Sequence, residues 1–128
     1  MTKRVLIVDD EVAILLALKK LLQSPEVEID TVVTLQGAKN LLQQQDYDVV
    51  ITDLRLTGVL DEEGLEILRY IKEHHPHTKV ILVTGYGNSE LKKRAYAMGA
   101  DYYFEKPVST DVLKDALKKL GIYYKEDS

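Results

Sequence analysis

Val5-Leu6-Ile7-Val8-Asp9-Asp10-Glu11 sets four branched aliphatic residues against three acids. Such a run reads as a short strand buried on both faces, ended by charge that cannot follow it into a core. The same sentence is written again along the chain. Asp48 to Thr52 carries Val49-Val50-Ile51 and runs into Asp53; Lys79 to Val83 runs into Thr84; Tyr102 to Phe104 runs toward Lys106-Pro107. Glu28 to Val33 alternates and makes one more strand.

Between these strands the apolar spacing changes to that of helices. Val12, Leu15, Leu16, Leu18 and Leu22 form one stripe, read as core, which stops at Ser24-Pro25. Thr34 can cap a helix whose inner face carries Ala38, Leu41 and Leu42. Leu65, Leu68 and Ile71 face inward from a third helix that ends before Pro76. Gly85-Tyr86-Gly87-Asn88 is a turn, and a fourth helix from Ser89 to Met98 closes on Gly99. Ser109 or Thr110 starts the last helix, with Leu113, Ala116, Leu117 and Leu120 on one face and Gly121 as its stop.

Strand and helix therefore alternate five times. That order implies an α/β fold with a five-stranded parallel sheet and helices on both faces, joined by right-handed crossovers. The flavodoxin-like strand order 2-1-3-4-5 is the expected one, and (βα)5 the expected unit. Residues 1–121 make one domain, and 122–128 read as a short, loosely held tail. The 128 residues are 45% hydrophobic and 30% charged, ordinary for a globular domain. With a net charge of −4, a strongly basic face for nucleic acid is not the default reading, and no nucleic-acid partner is expected. With no cysteine, disulfides, thiol catalysis and cysteine-ligated zinc are excluded. No signal-peptide pattern and no apolar run near the ~20 residues that span a bilayer is present, so a cytoplasmic location without membrane contact is expected.

In an open α/β sheet, function gathers outside the carboxyl ends of the strands. Strand one delivers Asp9 and Asp10 there, strand three Asp53, strand four Thr84 and strand five Lys106. With strands one and three side by side, three carboxylates converge. Their mutual repulsion calls for a cation. An all-oxygen set without histidine or cysteine suits Mg²⁺ better than zinc or copper. A carboxylate nucleophile, a metal, a fixed ammonium and a hydroxyl suffice to accept and lose a phosphoryl group.

The set Asp9-Asp10, Ile51-Thr52-Asp53-Leu54-Arg55-Leu56, Val83-Thr84-Gly85-Tyr86-Gly87 and Lys106-Pro107 resembles the receiver domain of bacterial two-component response regulators (the CheY-like superfamily), from about Lys3 to Leu120. The resemblance implies that Asp53 is the phospho-acceptor. It implies that Asp10 and Asp53 ligate Mg²⁺ directly, with the backbone carbonyl of Arg55 as third ligand and Asp9 acting through a water. Thr84 would bind the phosphoryl group, Tyr103 would follow it as the aromatic switch residue, and Lys106 would pair with the phosphoryl oxygens. The Lys106-Pro107 bond would be cis. The partners implied are a sensor histidine kinase or histidine phosphotransfer protein, docking along one edge of the first helix, and a downstream output protein or domain. A homodimer could form through the fourth helix, fifth strand and fifth helix. The role is a signalling switch that catalyses its own phosphorylation and dephosphorylation, not a metabolic enzyme.

Two departures stand out. Thr57 replaces the usual proline after the acceptor, and Gly64 comes about three residues late, with the extra residues around Leu60 to Glu63. Arg55 and Tyr86 occupy positions that tune phosphoryl lifetime in the family. His74-His75-Pro76-His77 reads as a solvated helix end and Lys92-Lys93-Arg94 as a solvated face; Tyr123 and Tyr124 are expected to pack against the last helix. A hydrolase with an Asp nucleophile would need an acid where Arg55 stands. A non-phosphorylated relative would lack one of Asp53, Thr84 or Lys106. A flavin carrier would need a phosphate-cradling loop where Asp9-Asp10-Glu11 stands.

Overall fold

The computed structural model describes residues 2–53, 63–85 and 89–123. Ten elements alternate along the chain: β1 (Lys3–Val8), α1 (Val12–Leu22), β2 (Val27–Val32), α2 (Leu35–Gln44), β3 (Val49–Asp53), α3 (Glu63–His74), β4 (Lys79–Thr84), α4 (Ser89–Ala97), β5 (Tyr102–Glu105) and α5 (Thr110–Lys119). All strand pairs are parallel and the order is β2-β1-β3-β4-β5, as the sequence predicts. The expected switch point between β1 and β3 is thereby formed, with Val8 level with Thr52.

Each central strand is apolar on both faces because helices cover both. Leu6, Val8, Val50, Val80 and Leu82 point to the side of α2, α3 and α4. Val5, Ile7, Val49, Ile51, Ile81 and Val83 point to the side of α1 and α5. That alternation follows from the two-residue period of a strand. Burying each such side chain contributes about 1.5–3 kcal/mol, and this holds the strand ends in register.

Helix starts follow the capping residues of the sequence. The Thr34 hydroxyl accepts a hydrogen bond from the Gly37 N–H at 2.9 Å, and the Ser109 hydroxyl accepts one from the Val112 N–H at 3.1 Å. Gly99 closes the α4 end with φ +106°, a left-handed conformation. A Cβ there would also meet the Lys72 stem at 3.3 Å.

Two expectations need correction. The α1 stripe is not all core: Leu15 and Leu22 are buried, but Val12 is 58% and Leu16 63% exposed. At about 100° per residue, Val12 and Leu16 lie some 60° and 100° round from Leu15, beyond the strip that faces the sheet. The start of the tail, expected to be loosely held, is packed at Ile122 and Tyr123. Ile122 is 2% exposed within the α1–α5 side of the core, and the Tyr123 hydroxyl donates to the Leu22 carbonyl at 2.5 Å. Gly121 stops the helix, yet the next two residues fold back onto the end of α1. Tyr124 lies outside the described residues.

Candidate functional site

The crevice is built by strand ends. Asp9 follows β1 directly; its N–H donates to the Val32 carbonyl at 3.1 Å, which continues the β1–β2 ladder by one residue. Its Oδ1 accepts from the Glu11 N–H at 2.9 Å, so the carboxylate caps the turn into α1. Asp53 is the last residue of β3, and Thr52 beside it donates its hydroxyl to the Asp53 carbonyl at 3.1 Å. Thr84 ends β4, one residue beyond the partner of Asp53, and is fully buried. Lys106 follows β5, and its N–H donates to the Thr84 carbonyl at 2.7 Å.

From there the Lys106 ammonium reaches back into the crevice. It lies 2.8 Å from Asp53 Oδ2 and 3.1 Å from Asp9 Oδ2. Asp9 and Asp53 are buried, Asp10 exposed. One carboxylate oxygen from each of Asp9, Asp10 and Asp53 lies within 4.8 Å of the other two. Partial loss of hydration beside the crevice, then the neighbouring charges of Asp9 and Asp53, pushes the exposed Asp10 carboxyl above its ordinary range. Burial pulls the Lys106 ammonium down, but its hydrogen bonds and charge contacts with Asp53 and Asp9 outweigh that and hold it raised. A cavity of about 500 Å³ opens beside these groups, with Ile7, Ile14, Leu18, Ile51 and Val83 among its walls. Such walls lower the local dielectric and strengthen every charge contact at its polar end.

The sequence-predicted residues thus meet. Asp9, Asp53 and Lys106 line one cavity, Asp10 brings a carboxylate oxygen beside those of Asp9 and Asp53, and Thr84 joins them through its carbonyl, which holds the Lys106 N–H. Lys106-Pro107 is a cis peptide bond. Tyr103 is buried on the α4 side, in the cluster that holds Leu82, Leu91, Ala95 and Ala100. Arg55, Thr57, the extra residues from Leu60 to Glu62, and Tyr86 lie outside the described residues. The histidines stay apart from any such cluster: His74 and His77 are exposed, and His75 Nδ1 is 3.8 Å from Asp46 Oδ1. Among the described residues, the three aspartates are the group placed to hold a metal ion. Lys92, Lys93 and Arg94 are exposed on α4.

Two contributors carry no mark in the sequence. Thr52 looks like any strand threonine. Tyr96 looks like an exposed helix tyrosine, yet its hydroxyl accepts a hydrogen bond from the Tyr103 N–H at 3.1 Å. Only tertiary pairing reveals either.

Fold and site together define a doubly wound α/β domain with a carboxylate–ammonium crevice at its topological switch point. The chain belongs to the response-regulator receiver family, whose model, described as response regulator receiver domain, matches residues 5–118. It is 32% identical over 113 residues to the response regulator protein PilR of Pseudomonas aeruginosa, covering 88% of this chain but 25% of PilR. It is 28% identical over 119 residues to sporulation initiation phosphotransferase F of Bacillus subtilis, covering 93% and 94% of the two chains. The crystal structure of a CheY-like receiver domain protein from Methanospirillum hungatei matches with a TM-score of 0.84 at 33% identity, over 94% of this chain and 95% of that one. Receiver domains are signalling switches, and phosphorylation and Mg²⁺ binding are features of the family. No described helix is long and apolar enough to cross a membrane.

Proposed function

We propose that Asp53 accepts a phosphoryl group from a phosphohistidine on a sensor kinase or phosphotransfer protein. The observation that carries this reading is the Lys106 ammonium, held at 2.8 and 3.1 Å between Asp53 and Asp9. A cation fixed against the acceptor needs no reorganisation when phosphoryl oxygens arrive. The Asp53 carboxylate attacks phosphorus, the P–N bond of the donor breaks, and the imidazole leaves as a neutral ring after taking a proton. In the reverse sense of the switch, water attacks phosphorus, the acyl phosphate P–O bond breaks, and inorganic phosphate departs from the regenerated carboxylate. The Thr84 hydroxyl supplies a hydrogen-bond donor to the phosphoryl group, and Tyr103 is the aromatic residue that responds to it.

The donor set fits Mg²⁺. Asp10 and Asp53 would hold it directly, the Arg55 carbonyl would be a third ligand, and Asp9 would act through a water. When bound, the ion offsets charge on the phosphoryl oxygens. The convergence of the three carboxylates supports this, since a cation there offsets the repulsion that, after desolvation, helps to raise the Asp10 carboxyl. The exposed edge of α1 at Val12 and Leu16, next to the acids, is where we place the phosphodonor. The face of α4, β5 and α5, with exposed Tyr96 and Val112, is where we place the output partner or a second copy of the chain.

The test is exposure to acetyl phosphate with Mg²⁺, read by intact mass. Wild type gains one phosphoryl group; Asp53→Ala gains none. Equal labelling of the two proteins would remove Asp53 as acceptor.

A further inference from the structure

We infer that the Tyr96 hydroxyl is a latch that holds α4 against the open edge of β5, and so sets how readily the switch moves. The inference rests on the phospho-acceptor reading above and adds a positioning residue to it.

β5 is the last strand of the sheet, so half of its backbone N–H groups face away from β4. The alternation that sends the Lys106 N–H to the Thr84 carbonyl turns the Tyr103 N–H, an odd number of residues earlier, to the far side. An edge donor without a partner must find water or a side chain. Here it donates to Tyr96 on α4 at 3.1 Å. Beside it, Leu91 and Ala95 of α4 pack with Tyr103 and Ala100 in an apolar cluster. Apolar contacts tolerate sliding, whereas a hydrogen bond is lost within a fraction of an ångström and a few tens of degrees. The Tyr96 oxygen is therefore a directional element that registers α4 on β5.

Its place in the site explains the coupling. Three residues beyond Tyr103, Lys106 holds Asp53 with its ammonium and the Thr84 carbonyl with its N–H. A phosphoryl group on Asp53 that draws Lys106 and Thr84 toward itself pulls on the same short strand whose N–H Tyr96 accepts. The latch opposes any movement of α4 away from β5. Removing the oxygen while keeping the ring makes that movement easier.

The test uses Tyr96→Phe in the full chain, with Tyr70→Phe on α3 as control. Two readouts are taken: residue-resolved amide exchange without any phosphoryl analogue, and titration with beryllofluoride in Mg²⁺. We expect exchange at the Tyr103 amide to speed up about two- to tenfold, the factor one ordinary hydrogen bond is worth. Amides of Val50 and Leu82 keep their wild-type rates. Half-saturation falls to a two- to tenfold lower beryllofluoride concentration, and the control matches wild type in both readouts. An unchanged Tyr103 amide overturns the latch. So does acceleration spread evenly over the sheet, which would mark a purely structural role, and so does an unchanged or weaker response to beryllofluoride. If wild type itself fails to bind beryllofluoride, the phospho-acceptor reading falls, and the Tyr103 exchange rate alone decides whether the bond registers α4.

Discussion

Asp10→Asn removes the one carboxylate of the cluster that Lys106 does not touch. Asp10 offers an oxygen within 4.8 Å of its counterparts on Asp9 and Asp53, a separation at which one pair of charges costs about 0.9 kcal/mol in bulk water and about 3.5 at an effective dielectric of 20. Asp10 is exposed, so the water limit is the better guide, and salt screens the remainder. Two pairs give roughly 2 kcal/mol of repulsion on that scale. The nearby ammonium offsets part of it, leaving about 1 kcal/mol to be gained by removing the charge. The assay is urea unfolding followed by far-ultraviolet circular dichroism, since the chain has no tryptophan. In a chelator at low salt, Asp10→Asn should be more stable than wild type by about 1 kcal/mol, and the gain should shrink as salt is added. In Mg²⁺ the order should reverse. A ligand at a hundred times its Kd stabilises the protein that binds it by about 2.7 kcal/mol, and the variant loses most of that binding. A variant no more stable than wild type in chelator would refute the repulsion argument. A variant that keeps its full advantage in Mg²⁺ would refute the ligand assignment.

Two further outcomes follow from the core. The Tyr47 phenol, 3% exposed, donates to Asp30; burial, then that carboxylate, raises its pKa above the ordinary tyrosine value. The stability tied to it is therefore whole below about pH 10, the unfolded value, and is lost as pH rises beyond it, by at most ~1.4 kcal/mol per pH unit. Tyr47→Phe should flatten the fall of unfolding free energy between pH 10 and 11 by about one proton's worth; an unaltered slope would exclude Tyr47 as its source. Ile122→Ala should cost about 2–5 kcal/mol, as for a fully buried aliphatic residue, and lower the urea midpoint. A loss below about 0.5 kcal/mol, the level of a surface change, would show that Ile122 is not part of the core.

The layout of the sheet was readable because its strands are written in uninterrupted Val, Ile and Leu, each ended by a polar residue. Val5 to Val8, Val49 to Ile51 and Val80 to Val83 can only be satisfied by cover on both sides. The candidate site was readable for a related reason: Asp9, Asp53, Thr84 and Lys106 each stand where a strand must stop, and parallel strands stop at the same end. Periodicity could not supply the rotation of α1 about its axis. Val12 and Leu16 satisfy a helical repeat whether or not they meet the sheet, and which edge is left out depends on how α1 packs. Nor could it supply Ile122, whose burial needs a groove made by helices far apart in sequence. Tyr96 was hidden for the same reason: a hydrogen bond to the backbone depends on where a strand edge lies, and no residue type announces that.

Lys106 fastens its own main chain to β4 while its side chain spans to the ends of β1 and β3. The width of the crevice is thus fixed by peptide geometry at both ends of one residue, much as a spacer bar sets a gap. Mutual repulsion of the acids cannot be relaxed by drifting apart without fraying the C-terminal edge of the sheet. A guanidinium in the same seat would keep the charge but bring a wider, planar fork on a different stem. Positive charge alone is therefore an insufficient specification here: the gauge of the opening depends on the length of a lysine.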